Sequence, residues 1–338
     1  MSRVRKLKGD PMNTVVNSAA VCAVALLAAP GAIAQTRPDY PNRPIRIIVP
    51  QAPASGPDIM ARTVGQKLAE AWGQQVVVDN RPGANGIIGM EAAARSKPDG
   101  YTLVMSVPSA LTMNPYVYKQ LPYDTFRDFV AITQTATNTF GLVVNPVLPT
   151  RTVKELVALG KSRPGQLNYG SFGIGNQTHL AAELFSSATG LKTLHVPYKG
   201  QTPAVTELVA GQVSFMFTPM PGAAGMVDAG KLRLLATCGE QRDATFKSAP
   251  TMREAGYPEV VITGWSGLLG PAGTPAEVVN RLQAEIARHI LAPEMRESIR
   301  KQGAEPVAST PQQFAAFIKS EAQKWSEVIK RAGLEYTQ

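Results

Sequence analysis

An α/β fold of two Rossmann-like lobes joined by two crossover segments is what this sequence predicts. Three observations carry that prediction. Short, largely apolar runs alternate with helix-period segments in two separate series. A closing stretch of amphipathic helices has almost no sheet of its own to cover. Two segments join the series, one on the way out and one on the way back.

The first series opens with Ile45-Arg46-Ile47-Ile48-Val49, an apolar run of strand length that stops at Pro50, as a buried parallel strand does. Ile59, Met60, Val64, Leu68 and Trp72 follow at helical spacing and give that helix one buried face. Residues 75–79 read as the next strand. The turn Arg81-Pro82-Gly83-Ala84-Asn85-Gly86 leads into a helix carrying Ile88, Ala92 and Ala93, and residues 101–107 make a third strand. The second series alternates strands near 140–144, 167–169, 194–196, 213–217 and 232–238 with helices near 153–160, 178–189, 203–210 and 226–229. A strand rich in Gly and Trp covers 260–269. Helices then dominate 275–332, punctuated by Pro293, Gly303 and Pro311, with a brief strand near 305–307. Their stripes (Val278, Leu282 and Ile286, then Phe314, Phe317, Ile318, Trp325 and Ile329) need an existing sheet, so they are expected to return onto the first lobe. The chain then crosses near 135–139 and near 261–265. Residues 35–137 and 263–338 form one lobe and 138–262 the other, and two lobes with two crossings make a hinged cleft.

Residues 1–34 read as an export signal. Arg3, Arg5, Lys6 and Lys8 give a positive start, an apolar run covers 19–29, and Ala32-Ile33-Ala34 completes an A-x-A cleavage site. That run is too short for about 30 Å of hydrocarbon and is broken by Pro30 and Gly31, which argues against a membrane anchor. A periplasmic location is expected. Lys and Arg total 34 against 25 Asp and Glu, for a net charge of +9. The remainder stays positive without the signal, which favours anionic ligands. The basic residues are spread singly and do not interleave with aromatics, which speaks against nucleic acid. Cys22 leaves with the signal, so Cys238 has no internal partner for a disulfide. His179, His195 and His289 are not at ligand spacing, so neither a metal nor a cofactor is expected.

Ligands of open α/β sheets bind beyond the carboxyl ends of the strands, where helix starts present N–H groups. Two loops occupy such places. Residues 50–58 follow the first strand, with Ser55 and Asp58 at the S-x-x-D spacing of a capping box. Asp58 competes with an anion for the same N–H groups, and is expected to shape the loop. The second loop, 169–179, holds Gly170, Gly173 and Gly175, which allow close backbone approach to a ligand. Thr178 stands where a dinucleotide fingerprint needs glycine, and Gly170-Ser171-Phe172-Gly173 is not a nucleophile elbow. His179, eight residues after Ser171 and one helical turn inside, either bonds a neighbouring loop or touches the ligand.

The ordered segments Pro44-Ile45-Arg46-Ile47-Ile48-Val49-Pro50, Val78-Asp79-Asn80-Arg81-Pro82-Gly83-Ala84, Pro98-Asp99-Gly100-Tyr101-Thr102-Leu103, Tyr169-Gly170-Ser171 and His195-Val196-Pro197-Tyr198-Lys199-Gly200 resemble the tripartite tricarboxylate receptor family, also called Bug receptors. Gly267-Leu268-Leu269, Pro271-Ala272-Gly273-Thr274-Pro275 and Gly303-Ala304-Glu305-Pro306 extend the resemblance over nearly all of the chain after the signal. It implies a fold like a type II periplasmic binding protein that closes on a small carboxylate and hands it to membrane permease subunits; a hinge that must open argues against a large permanent interface, so a monomer is expected. Carried over by position, the ligand-binding residues are Ala54, Ser55, Gly56, Asp58, Ser106, Ser109, Ser171, Phe172, Gly173, His179, Tyr198 and Thr218. The sequence departs from the family pattern at Gln51, where phenylalanine is usual, at Ala54 and Ser55, where glycines are usual, and at Thr218, where an acid is common. A ligand sensor that presents its closed form to a signalling partner is the alternative. A hydrolase or isomerase of a small acid lacks a nucleophile with its base.

Overall fold

The computed structural model describes residues 40–331 and 333–336; the export signal expected over 1–34 lies outside them. The first series comprises β1 (Ile45–Val49), α1 (Gly56–Trp72), β2 (Val76–Asn80), α2 (Ile87–Ala94), β3 (Thr102–Ser106) and, after a tight turn, α3 (Asn114–Val117). A long strand, β4 (Phe129–Val144), leads to α4 (Val153–Ser162), β5 (Asn168–Ser171), α5 (Gln177–Thr189), β6 (Leu194–Pro197), α6 (Gln201–Val209), β7 (Phe215–Pro219), α7 (Ala224–Asp228) and β8 (Arg233–Thr237). The return comprises β9 (Thr263–Pro271), α8 (Ala276–Ile290), α9 (Pro293–Lys301), β10 (Ala304–Pro306) and α10 (Pro311–Arg331).

The strands run in the order β2-β1-β3-β9-β4-β7-β5-β6, with β8 and β10 also paired to β4. β1 is parallel to β2 and β3, and β5 to β6 and β7, as strand-helix alternation requires. β9, β7, β8 and β10 instead meet β4 antiparallel. β4 therefore belongs to both halves of the sheet. Up to Thr139 its partner is β9, and from Phe140 onward β7 and β8 take over.

The sequence reading places a connection between the lobes near 135–139. In the structure these residues are strand, since their polar groups are bonded inside the protein. Thr135 Oγ1 donates to Ser266 O at 3.0 Å and Thr133 Oγ1 to Ser309 O at 2.8 Å. A buried polar side chain with a partner costs little, so β propensity prevails.

One face of the first half packs Ile45, Ile47 and Leu103 against Val64 and Leu68 of α1 and Leu282 and Ile286 of α8. The other face holds Ile48, Val104, Trp265 and Phe314. The second half is centred on Leu142, Tyr169, Phe185, Phe215 and Phe217. Burying each large side chain contributes about 1.5–3 kcal/mol. Gly267 is required by close approach, because a Cβ there would lie 2.1 Å from the Phe314 ring. The expectation that the closing helices return wholly to the first lobe needs correction at α10. Phe314 and Ile318 join the first half's core, whereas Trp325 and Ile329 belong to the cluster that holds Phe185 and Phe217. Its stripe is long enough to serve both, at about 1.5 Å of rise per residue.

Candidate functional site

Strand ends and helix starts converge on a cleft between the two halves. After β1, Ser55 takes an extended conformation and α1 begins with Gly56 and Pro57. The capping box expected from Ser55 and Asp58 does not form. Ser55 Oγ donates to Ala52 O at 2.6 Å, and Asp58 Oδ2 accepts from Ala54 N at 2.8 Å. Ala54 has φ +60°, so a glycine at this place has a physical reason and the alanine is held there under strain. Asp58 is buried and accepts from Arg62 and Asn80. Burial opposes its ionisation, but the bonds from Arg62, Asn80 and the Ala54 N–H outweigh it and hold the carboxyl below its usual range.

After β5, Asn176 caps α5, its Oδ1 accepting from Thr178 N at 3.0 Å. Thr178 Oγ1 accepts from Phe172 N at 2.9 Å, and His179 Nδ1 accepts from Gly175 N at 3.1 Å. The helix thus holds its own incoming loop in place.

Hydrogen bonds at the two loops cross between the halves. Gly56 N donates to Gln201 Oε1 at 3.2 Å, Thr202 Oγ1 to Pro53 O at 2.6 Å, Asn176 Nδ2 to Asn85 Oδ1 at 2.8 Å, and Gln177 N to Ser109 Oγ at 3.3 Å. Neutral side-chain oxygens therefore sit on the first N–H groups of α1 and α5. Gln201 is buried, and its Nε2 donates to Thr218 Oγ1, Pro219 O and Pro221 O.

The inner cleft has a volume of about 40 Å³, room for about three waters. It is lined from both junctions and from the β4 and β9 crossing, by Asn138 and Trp265 among others, and among the described residues no charged side chain lines it. An outer chamber of about 240 Å³ adjoins it, sharing Gln51 and Phe172.

Ser55, Gly56, Ser109 and Phe172 line the inner cleft, and Gly173 and Tyr198 line the outer chamber. Ala54 and Asp58 belong to the first loop but line neither space. Ser106 is buried with its Oγ 3.4 Å from Met90 Sδ, and Thr218 is buried against Gln201. Ser171 is also buried, and its Oγ lies 2.5 Å from His195 Nε2. The partner of Ser171 is His195, whose ring stacks on those of Tyr169 and His179 at centroid distances of 4.8 and 4.1 Å. Burial, and then the neighbouring His179, pull His195 down to about 4. Burial lowers His179 too, against the opposing pull of Glu183. His179 takes the loop-bonding role, one of the two its position allows.

Gln201, Asn138, Asn176 and Trp265 are cleft residues that sequence reasoning missed. The one local signal for Gln201 is its place after Gly200, which has φ +125° and opens α6.

Two α/β halves that meet across a cleft of helix starts and neutral donors define a solute-binding protein. The chain matches the family model for the tripartite tricarboxylate transporter family receptor over residues 60–334, and it belongs to that family. Protein BugT of Bordetella pertussis is 38% identical over 295 residues, covering 87% of this chain and 90% of the relative. The structure of R. palustris Rpa4515 with adipate superposes with a TM-score of 0.85 at 32% identity, covering 87% of this chain and 99% of that one. MatC from Rhodopseudomonas palustris with bound malate gives 0.80 at 26% identity, covering 86% and 100%. Among the described residues no helix is long and apolar enough to cross a membrane.

Proposed function

We propose that this chain is a periplasmic receptor that captures a small carboxylate between residues 35–137 with 263–338 on one side and 138–262 on the other, and delivers it to the permease subunits of a tripartite tricarboxylate-type transporter. The observation that carries this reading is the inner cleft, walled by two helix starts and by Ser, Asn and Gln side chains with no charge of either sign. A carboxylate would replace neutral oxygens such as Gln201 Oε1 and Ser109 Oγ on the helix N–H groups, and bonds to a charged acceptor are the stronger ones. The adipate and malate complexes of the relatives support the ligand class. Binding without bond-making fits the Ser171–His195 pair, which is part-buried and lies outside the cleft lining.

Micromolar affinity requires about 8.2 kcal/mol. A helix start supplies up to about 2 kcal/mol to a partly buried anion, and each hydrogen bond to a charged group about 1.5–3 kcal/mol. Two helix starts alone fall short, so closure of the halves, bringing several donors together, is part of the affinity. No Asp or Glu lines the cleft to receive an ammonium group, so aspartate and glutamate bind more weakly than the matching dicarboxylates. Calorimetry with C4 to C6 acids, their amino derivatives and neutral sugars tests both points. Micromolar binding of amino acids with the plain acids inert defeats the reading, as does indifference to every acid. Gene deletion followed by uptake measurements tests delivery.

A further inference from the structure

The turn between β2 and α2 is held in an unusual shape. Its four residues Gly83, Ala84, Asn85 and Gly86 all have positive φ, at 120°, 46°, 52° and 90°. Glycine takes such values freely, whereas in Ala84 and Asn85 they persist only where the surroundings fix the backbone. What fixes Asn85 is Asn114. Asn85 Nδ2 donates to Asn114 Oδ1 at 2.7 Å, and Asn114 Nδ2 donates back to Asn85 O and to the Tyr123 hydroxyl, each at 3.2 Å. Asn114 is fully buried, and Tyr123 packs on Phe129 in the core of the first half. The Asn85 amide is thus set firmly in the first half, with its oxygen turned to the second.

That oxygen accepts from Asn176 Nδ2 at 2.8 Å. Asn176 is buried, and its own oxygen accepts from Thr178 N and Thr178 Oγ1, the hydroxyl that in turn holds Phe172 N–H. A polar relay therefore runs from Tyr123 in one core to the Phe172 loop of the other half, and only its Asn85–Asn176 member joins residues of the two halves. Separating the halves at this point breaks that bond. It links two uncharged amides, and such a bond has a modest net strength because water replaces it on opening, as a contact broken in every cycle requires. The residue type fits as well. Left-handed backbone admits few residues besides Gly, Asn and Asp, and of these three only Asn offers both a donor to Asn114 and an acceptor to Asn176.

Resting on the reading of this chain as a receptor that closes on a carboxylate, we propose that Asn85 is a positioning residue, a latch that holds the closed form through Asn176 and sets how long the ligand is retained. It acts through the cap of α5, and its effect falls on release and not on capture.

The test is a double-variant cycle read by stopped-flow tryptophan emission, with adipate and malate as probes and circular dichroism to verify the fold. Asn85→Gly keeps the left-handed backbone and removes the amide. Asn176→Ser keeps a capping oxygen for α5 and removes the donor. Each single variant is expected to release the acid about three- to tenfold faster, with association no slower than in wild type. The double variant releases it no faster than the more affected single variant, because both substitutions delete the same bond. An unchanged dissociation rate in Asn85→Gly overturns the latch, as do single effects that multiply in the double variant, or a loss of affinity carried by slower association. A wild-type protein that responds to neither acid, and binds none in calorimetry, defeats the carboxylate reading instead. The latch is then judged by X-ray scattering of the proteins alone, where a larger radius of gyration for Asn85→Gly supports it and an equal one overturns it.

Discussion

Mild acid charges a ring stack that the fold keeps neutral. His195 stacks on Tyr169 and His179 and is pulled from 6.5 down to about 4, by burial first and by His179 second. The unfolded chain takes up this proton first, so stability is complete above the unfolded value, falls as pH drops through it, and levels off near the folded value. At pH 5.0 that shift corresponds to about 2 kcal/mol, cut to about 1 kcal/mol for the partial exposure of the ring. His179, lowered in the same direction, adds to the loss. Tyr169 and Glu183 are the other titratable groups at the stack; the Tyr169 hydroxyl donates to Glu183, and burial raises its pKa. Urea midpoints at pH 7.5 and 5.0, for wild type and His195→Gln, isolate the effect, because carboxylate contributions are common to both proteins. The variant is expected to lose about 1 kcal/mol less on acidification than wild type. An identical pH dependence in the two proteins refutes the argument that His195 is held neutral.

Three substitutions probe the site and its support. Thr178→Val keeps the shape but removes the acceptor for Phe172 N–H, and urea unfolding should show a loss of about 1–3 kcal/mol together with weaker ligand binding. Gln201→Leu strips Gly56 N–H of its acceptor and several oxygens of a donor; it should cost about 2 kcal/mol or more and raise the radius of gyration of ligand-free protein in X-ray scattering. Gly267→Ala drives a methyl into the Phe314 ring, and a drop of about 1–3 kcal/mol in stability is expected by denaturant titration.

The parts of this protein that were legible in the sequence are those written in local period. β1, α1 and the strand-helix alternation follow from spacing alone, because each element buries a continuous face and stops at Pro or Gly. β4 was illegible over 135–139, because Thr and Asn there look like loop until partners such as Ser266, which accepts from Thr135, arrive from more than a hundred residues away. The two ligand loops were visible as strand-to-helix junctions with glycines, and Ser55, Gly56, Ser109 and Phe172 do line the cleft. Their hydrogen bonding was not. Ser55 and Asp58 have the spacing of a capping box, but the left-handed Ala54 redirects Asp58 to the Ala54 N–H. Gln201 was missed for a related reason, as its four partners, Gly56 and three residues of 218–221, are remote from it in sequence or beyond the next strand.

One carboxylate in α10 ties the cleft to the far end of that helix. Glu321 Oε2 accepts from both indole nitrogens, Trp265 Nε1 and Trp325 Nε1, each at 3.1 Å. Trp265 lines the cleft, while Trp325 sits in the second core, so two of the protein's three tryptophans share a single acceptor across the helix that runs between the halves. Ligand arrival that shifts Trp265 alters the field felt by both indoles at once. The molecule thereby carries a built-in optical gauge of occupancy, readable by intrinsic emission with no label attached.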